Sequence, residues 1–226
     1  EHFAKTLAFM KIAREAWPKL LRAFGAIEPA ERRDRLIAAE AQRLQSAASG
    51  PVIAAGSTGS MPATAEFLAQ IAKLPNGAIV LPGLDMHLDA ASWDLIGGRT
   101  DADGRAIVAP APAHPQFSLH GLLKRIGIAR EAVEILAPPL HPHREILVSE
   151  ALRPAAATDR WQALLADDDF GAQADMTVQQ LAVIEAANPE EEALAIACAL
   201  REAIETRGKT AALITPDRAL ARRTVA

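Results

Sequence analysis

The chain has 226 residues, of which 50% are hydrophobic, enough for one large domain or two small ones with a real core. A formal charge of −4, from 24 basic and 28 acidic residues, argues against a stand-alone nucleic-acid binder with a dominant basic stripe. The single cysteine, Cys198, excludes an internal disulfide and a zinc knuckle, and no apolar run approaches the roughly 18 residues of a membrane span.

The pattern opens with a helix in which Phe3, Leu7, Met10, Ala13, Trp17 and Leu20 or Leu21 recur at helical spacing. A second helix begins near Pro29, with Leu36, Ile37, Ala41 and Leu44 apolar, the ERRDR run solvated, and Gly50 as its stop. The run PVIAAG reads as a buried parallel strand, the loop STGSM leads to Pro62 and a helix through Leu74, and Asn76-Gly77 turns into a second strand, AIVLPG. Strand, helix and strand make one βαβ unit. Residues 85–145 are broken by prolines; SLHGLLKRIGI reads as a short helix, EAVEIL as a strand, and REILVSEAL as either helix or strand. ATDRWQALL reads as a helix capped by Thr158 or Asp159. TVQQLAVIEAA reads as a strand ending near Ala187. Asn188, Pro189 and Glu191 then form a capping box for a helix running to about Arg207, with Ala193, Ile196, Ala197, Leu200 and Ile204 inward. After Gly208, TAALIT reads as a strand and Thr215-Pro216 as the start of a last helix, a second βαβ unit. Beginning without methionine and stopping within a helical pattern, the chain reads as an internal piece of a longer protein.

The residues that attract chemical interest are few. Gly56, Ser57, Thr58, Gly59 and Ser60 lie between strand and helix, where backbone amides can cradle a phosphate or contact DNA. The loop is neither a Walker A motif nor GxGxxG, so a plain βα turn is the competing reading. Asp85, His87, His141 and His143 lack a completed zinc set, and Asp167, Asp168 and Asp169 read as a solvated helix start, so no metal site is expected. No nucleophile elbow is present. Cys198 reads as a small core residue on a helix. Two short basic clusters, Arg32, Arg33 and Arg35, then Arg218, Arg222 and Arg223, stand out. The second is a candidate DNA-backbone contact or simply a solvated helix face.

Three segments, PVIAAGSTGSMPATAEFLAQIAKLPNGAIVLPGLD, SEALRPAAATDRW and NPEEEALAIACALREAIETRGKTAALITPDRALARR, together resemble the AddB family of the alphaproteobacterial type, double-strand-break repair helicase–nuclease subunits. The resemblance spreads from about residue 50 to the end and implies an α/β, parallel-sheet RecA-like core of superfamily 1 helicase type with helical insertions. It places a helical segment at 1–50, part of a degenerate RecA-like domain at 51–150, and the start of a second at 151–226. It further implies a cytoplasmic protein with AddA and single-stranded or forked DNA as partners and no membrane. In an active motor the strand matching VIAAG ends in an Asp-Glu pair that orients Mg²⁺ and activates water; here Ala55 and Gly56 stand there. The arginine that follows the strand matching TAALIT is replaced by Pro216, with Arg218 nearby. The expectation is therefore a scaffold and DNA-guiding segment with degenerate ATPase motifs, no catalytic residues and no cofactor. The alternative is a small-molecule α/β enzyme that binds a phosphate at Gly56–Ser60.

Overall fold

A computed structural model describes residues 2–47, 49–179 and 181–225. The chain divides into two compact units, Glu1–Asp167 and Asp168–Ala226. It is a mostly helical α/β protein.

The first unit opens with α1 (His2–Ala23) and α2 (Pro29–Ala47), the two helices that the sequence predicts. α1 carries Pro18 inside it, so Arg14 loses one amide partner for its carbonyl. α2 packs on α3 (Pro62–Ala72) through Ala41, which is buried, flanked by half-buried Ile37 and Leu44; Leu36, expected inward, is exposed.

The βαβ unit forms with the expected order and parallel pairing, but its first strand is not the buried one expected: Ile53 and Ala55 are exposed. β1 (Val52–Ala55) and β2 (Gly77–Val80) pair in parallel, Val52 beside Gly77 and Ala55 beside Val80, with α3 between them in sequence. Pro62 occupies the first turn of α3, where its missing N–H is no loss. Ala54 and Ile79 turn from the strands toward Ala65 and Leu68 of α3 and toward Leu122. Gly77 is required at the head of β2, because a Cβ there would collide with the carbonyl oxygen of Ile71.

The proline-broken region after β2 is ordered by short elements. α4 (Ala90–Ile96) leads into an antiparallel pair, β3 (Arg99–Thr100) and β4 (Ala106–Val108), which the sequence reading misses. α5 (Phe117–Ile126) is the SLHGLLKRIGI helix, closed by Gly127 in the left-handed conformation at φ +81°. Leu88, Trp93 and Ile96 meet Leu123 of α5 to form the main core, with Leu81, Leu84, Phe117 and Val133 packed against it. The EAVEIL segment is not a strand: a 3-10 turn spans Arg130–Ala132 and turn and irregular backbone follow. The REILVSEAL ambiguity resolves to helix, α6 (Pro142–Ala151). A 3-10 turn (Ala155–Arg160) and α7 (Trp161–Leu165) complete the unit. Neither Thr158 nor Asp159 caps α7; the Thr158 hydroxyl donates to the Ala155 carbonyl instead.

The second unit holds α8 (Asp168–Val178), α9 (Pro189–Glu205) and α10 (Arg218–Val225), with α10 packed on α9. The cap half of the expected capping box is present, the Glu191 amide donating to the Asn188 side chain at 2.9 Å, while the Glu191 carboxylate accepts from the amide of Ala187, one residue before the cap, at 3.3 Å. α10 starts on the Asp217 carboxylate, which accepts from the Ala219 amide at 2.7 Å, with Thr215 one step upstream.

The two strands expected in this unit are not formed among the described residues. Thr177 and Val178 belong to α8, and the chain from Leu181 to Ala186 and again from Lys209 to Thr215 runs without a ladder. Alternating and β-branched residues favour a strand only when a neighbouring strand accepts the backbone bonds. Gln180, part of the first expected strand, lies outside the described residues. Ala193 is buried, Ile196, Ala197 and Leu200 are half-buried, and Ile204 is exposed. Cys198, expected in the core, is exposed as well, because it sits well round the helix from the Ala193–Leu200 face.

Both glycines of the loop after β1 adopt positive φ, +79° at Gly56 and +68° at Gly59. A Cβ at Gly56 meets open space, and one at Gly59 only ordinary contacts with Ala65 and Leu122 at 3.4 Å. Gly56→Ala and Gly59→Ala are therefore each expected to cost about 1–2 kcal/mol, nearly equal because the backbone conformation dominates; urea unfolding of the two variants measures the difference.

Candidate functional site

The Gly56–Ser60 loop sits at the carboxyl end of β1, just before α3, the position at which open α/β sheets bind ligands. Its own bonding limits it as a phosphate cradle. The Gly56 amide donates to the Val80 carbonyl at 3.0 Å, extending the ladder. The Gly59 amide donates to the Ser57 hydroxyl at 3.3 Å, and Gly59 itself is buried. Pro62 offers no amide. Ala55 and Gly56 stand at the tip of the strand, uncharged, as the sequence indicates.

The convergent polar chemistry of the first unit lies elsewhere, around the segment after β2. The Asp85 carboxylate accepts from the backbone amides of His87 (2.8 Å) and Leu88 (3.0 Å) and from the Ser149 hydroxyl of α6 at 2.8 Å. Gln116 braces the same segment: its side chain accepts from the Asp85 amide and donates to the Gly83 carbonyl. The Gln116 amide in turn donates to Nδ1 of His114, whose Nε2 lies 2.7 Å from the Leu152 carbonyl. That pair of partners fixes Nε2 as the donor.

Four residues on, Asp89 caps α4 by accepting from the Ser92 amide at 3.0 Å and the Ser92 hydroxyl at 2.8 Å. Arg153, with only 6% of its side chain exposed, reaches Asp89 at 2.5 Å, Ser92 Oγ at 2.6 Å and Glu150 at 2.6 Å. Arg160 adds a second cation to Asp89 at 2.8 Å, and the Trp161 indole donates to the Glu150 carbonyl. Burial works against ionising Asp89, but the hydrogen bonds from Arg153 and Ser92 and the charge of Arg160 outweigh it, holding the carboxyl well below its ordinary range. The Glu150 hydrogen bond, joined by Asp89, overcomes burial and holds Arg153 more firmly protonated.

This network contains the charged residues of SEALRPAAATDRW apart from Asp159, none of which stands out in the sequence as a site residue. The signal is there in retrospect: Ser149, Glu150, Arg153 and Arg160 interrupt an alanine-rich stretch at a helix end. Every donor and acceptor named in it is matched by another protein group, so the cluster is structural rather than reactive.

A shallow cleft of about 390 Å³ lies beside it, bordered by Trp93, Asp94, His120, Lys124, Arg130 and Glu131. Arg130 is buried over the Trp93 ring at 4.8 Å and donates to the Asp85 carbonyl and the Glu131 carboxylate. His120 tilts against Trp93 at 5.4 Å; burial, above the opposing pull of Asp94, lowers its pKa. Acidic and basic groups both border the cleft, which selects no one charge of ligand.

The remaining sequence candidates are not brought together. His87 approaches Glu145 at 3.5 Å, and His141 precedes α6 without capping it through its side chain. Asp168 and Asp169 occupy the first turn of α8, where negative charge suits the helix dipole. Among the described residues no group of three or more His, Cys, Asp or Glu is placed to hold a metal ion. Arg32 is exposed on α2, whereas Arg33 and Arg35 pair with Asp34 and Glu31. Arg218, Arg222 and Arg223 are exposed on α10 in the second unit, without an ion-pair partner among the described residues; Arg222 and Arg223 also lie in the last turn, where cations suit the dipole.

Replacing Arg153 by Met leaves Asp89 and Glu150 facing each other without their shared cation, and is expected to lower stability by about 3 kcal/mol in urea unfolding. The depressed Asp89 pKa contributes stability that is fully present above the unfolded value of about 4 and is lost as pH falls through and below it. Asp89→Asn should therefore flatten the acid limb of a stability profile taken between about pH 5 and pH 2.

Set against known proteins, the chain matches no family model, no curated protein and no solved structure.

Proposed function

We propose that this chain is a structural and DNA-guiding segment of an AddB-like subunit, part of a helicase–nuclease that processes double-strand breaks together with an AddA partner. In this reading the parallel β1–α3–β2 unit is the remnant of a RecA-like motor and the chain turns over no nucleotide. The observation that carries it is the tip of β1, where Ala55 and Gly56 stand in place of the acids that a working motor uses to hold Mg²⁺ and activate water. The matched, inward-facing bonding of Asp85, Asp89 and Arg153 supports it, since these side chains serve the shape of the unit. The other reading, a phosphate-binding enzyme centred on Gly56–Ser60, has against it two loop amides engaged within the protein and a buried Gly59.

An ATPase assay on the chain, alone and with forked DNA, is expected to give no hydrolysis above buffer. Forked DNA should bind at 50 mM salt and lose at least about tenfold in affinity by 200 mM, as phosphate contacts release counterions. Robust DNA-stimulated hydrolysis, or no DNA binding at low salt, would overturn the proposal. Co-elution with AddA tests the partner separately.

A further inference from the structure

α1 is the most basic element of an acidic protein. It carries Lys5, Lys11, Arg14, Lys19 and Arg22 against one acid, Glu15, while the whole chain has a net charge of −4. All five basic side chains are exposed. At 100° per residue they fall within one half of the helix circumference, with Glu15 among them. On α2, Arg33, Arg35 and Arg43 are engaged by Asp34, Glu31 and Glu40. Among the described residues Lys11, Arg14 and Lys19 have no ion-pair partner, so their charge is available to an outside anion.

The other half of the same helix is apolar and exposed, with Met10 and Leu20 beside three aromatic rings. Phe3 is 80% exposed, Phe9 66% and Trp17 50%, and Phe24, just past the helix, is 80% exposed. Four of the nine aromatic side chains of the protein are thus gathered on one helix and its exit turn. The Trp17 indole donates to Glu28, which holds the ring against the start of α2. Arg14 lies one turn from Trp17 and three residues from Lys11, at the seam between the charged and apolar halves.

We propose that α1 is a binding surface for single-stranded nucleic acid, with the phosphates on Lys11, Arg14, Lys19 and Arg22 and bases stacked on Phe3, Phe9 or Trp17. Exposed rings beside unpaired cations are what sequence-tolerant single-strand binding requires, because every base has a stacking face. From Lys11 to Arg22 the helix rises about 17 Å, so its cations are spread along a length that can meet more than one phosphate of a strand. A duplex hides its base faces and would use the charges alone. The proposal rests on the DNA-guiding reading above and names the element that does the guiding, which is not the α10 cluster singled out by sequence.

The test is fluorescence anisotropy of the full chain with labelled oligo(dT), a duplex of equal length, and vesicles of 30% anionic phospholipid. Variants are K11Q/R14Q/K19Q, Phe3→Ala with Phe9→Ala, and R218Q/R222Q/R223Q, with circular dichroism to confirm folding; all these positions are exposed. Oligo(dT) should bind more tightly than duplex. The α1 charge variant should weaken it at least tenfold and reduce the salt slope by about 2, at about 0.7 per lost phosphate contact. The aromatic variant should weaken oligo(dT) severalfold and leave duplex unchanged. If oligo(dT) binding is lost only in the α10 variant, the assignment to α1 falls and the DNA-guiding reading stands. No binding to any DNA sinks both. Binding to vesicles and not to oligo(dT) overturns the proposal in favour of a lipid surface.

Discussion

The first unit depends on one buried guanidinium. Arg153 joins the cap of α4, through Asp89 and Ser92, to the end of α6, through Glu150, and Arg160 closes the same carboxylate from the following 3-10 turn. A buried ion pair contributes little net energy over an apolar packing of equal shape, but breaking one side of it is costly. The network therefore acts mainly to fix which partner each element meets. Asp85 and Gln116 do the same for the segment between β2 and α4. With those anchors in place, the apolar core of Leu88, Trp93, Ile96 and Leu123 has one arrangement to adopt.

This explains how a stretch punctuated by prolines becomes ordered without long elements. The chain from Leu81 to Asp89 has little secondary structure of its own, yet it carries two carboxylates that each gather several donors. Its order comes from side chains distant in sequence: Ser149 lies 64 residues from Asp85, as does Arg153 from Asp89. Polar groups that satisfy one another in this way serve to hold the elements together.

What the sequence disclosed followed the range of the forces involved. Local signals were legible: the parallel pair at 52–55 and 77–80, Pro62 at the head of α3, Gly127 behind α5 and the Asn188–Glu191 cap all depend on neighbours within a few residues. The polar network was not, because nothing in the spacing of Asp89 and Arg153 says that they meet. The two strands expected at 177–187 and 210–215 failed for a related reason: strand-type residues state a preference, and a ladder needs a second strand to complete it. The loop at 56–60 was placed correctly as a βα connection, while its internal bonding became visible only in three dimensions. The charge on α1 was hidden by composition, since a net −4 averages away a helix with five basic residues.

The β1–β2 pair has a consequence for handling the isolated protein. Among the described residues β1 pairs only with β2, and Ile53, on the sheet face away from α3, is 66% exposed. Parallel strands normally sit inside a sheet covered on both sides, and a bare strand edge with an apolar residue is a template for strand addition between molecules. Pairing of such an edge with another copy would leave the acidic surface untouched, since it uses the backbone of four residues.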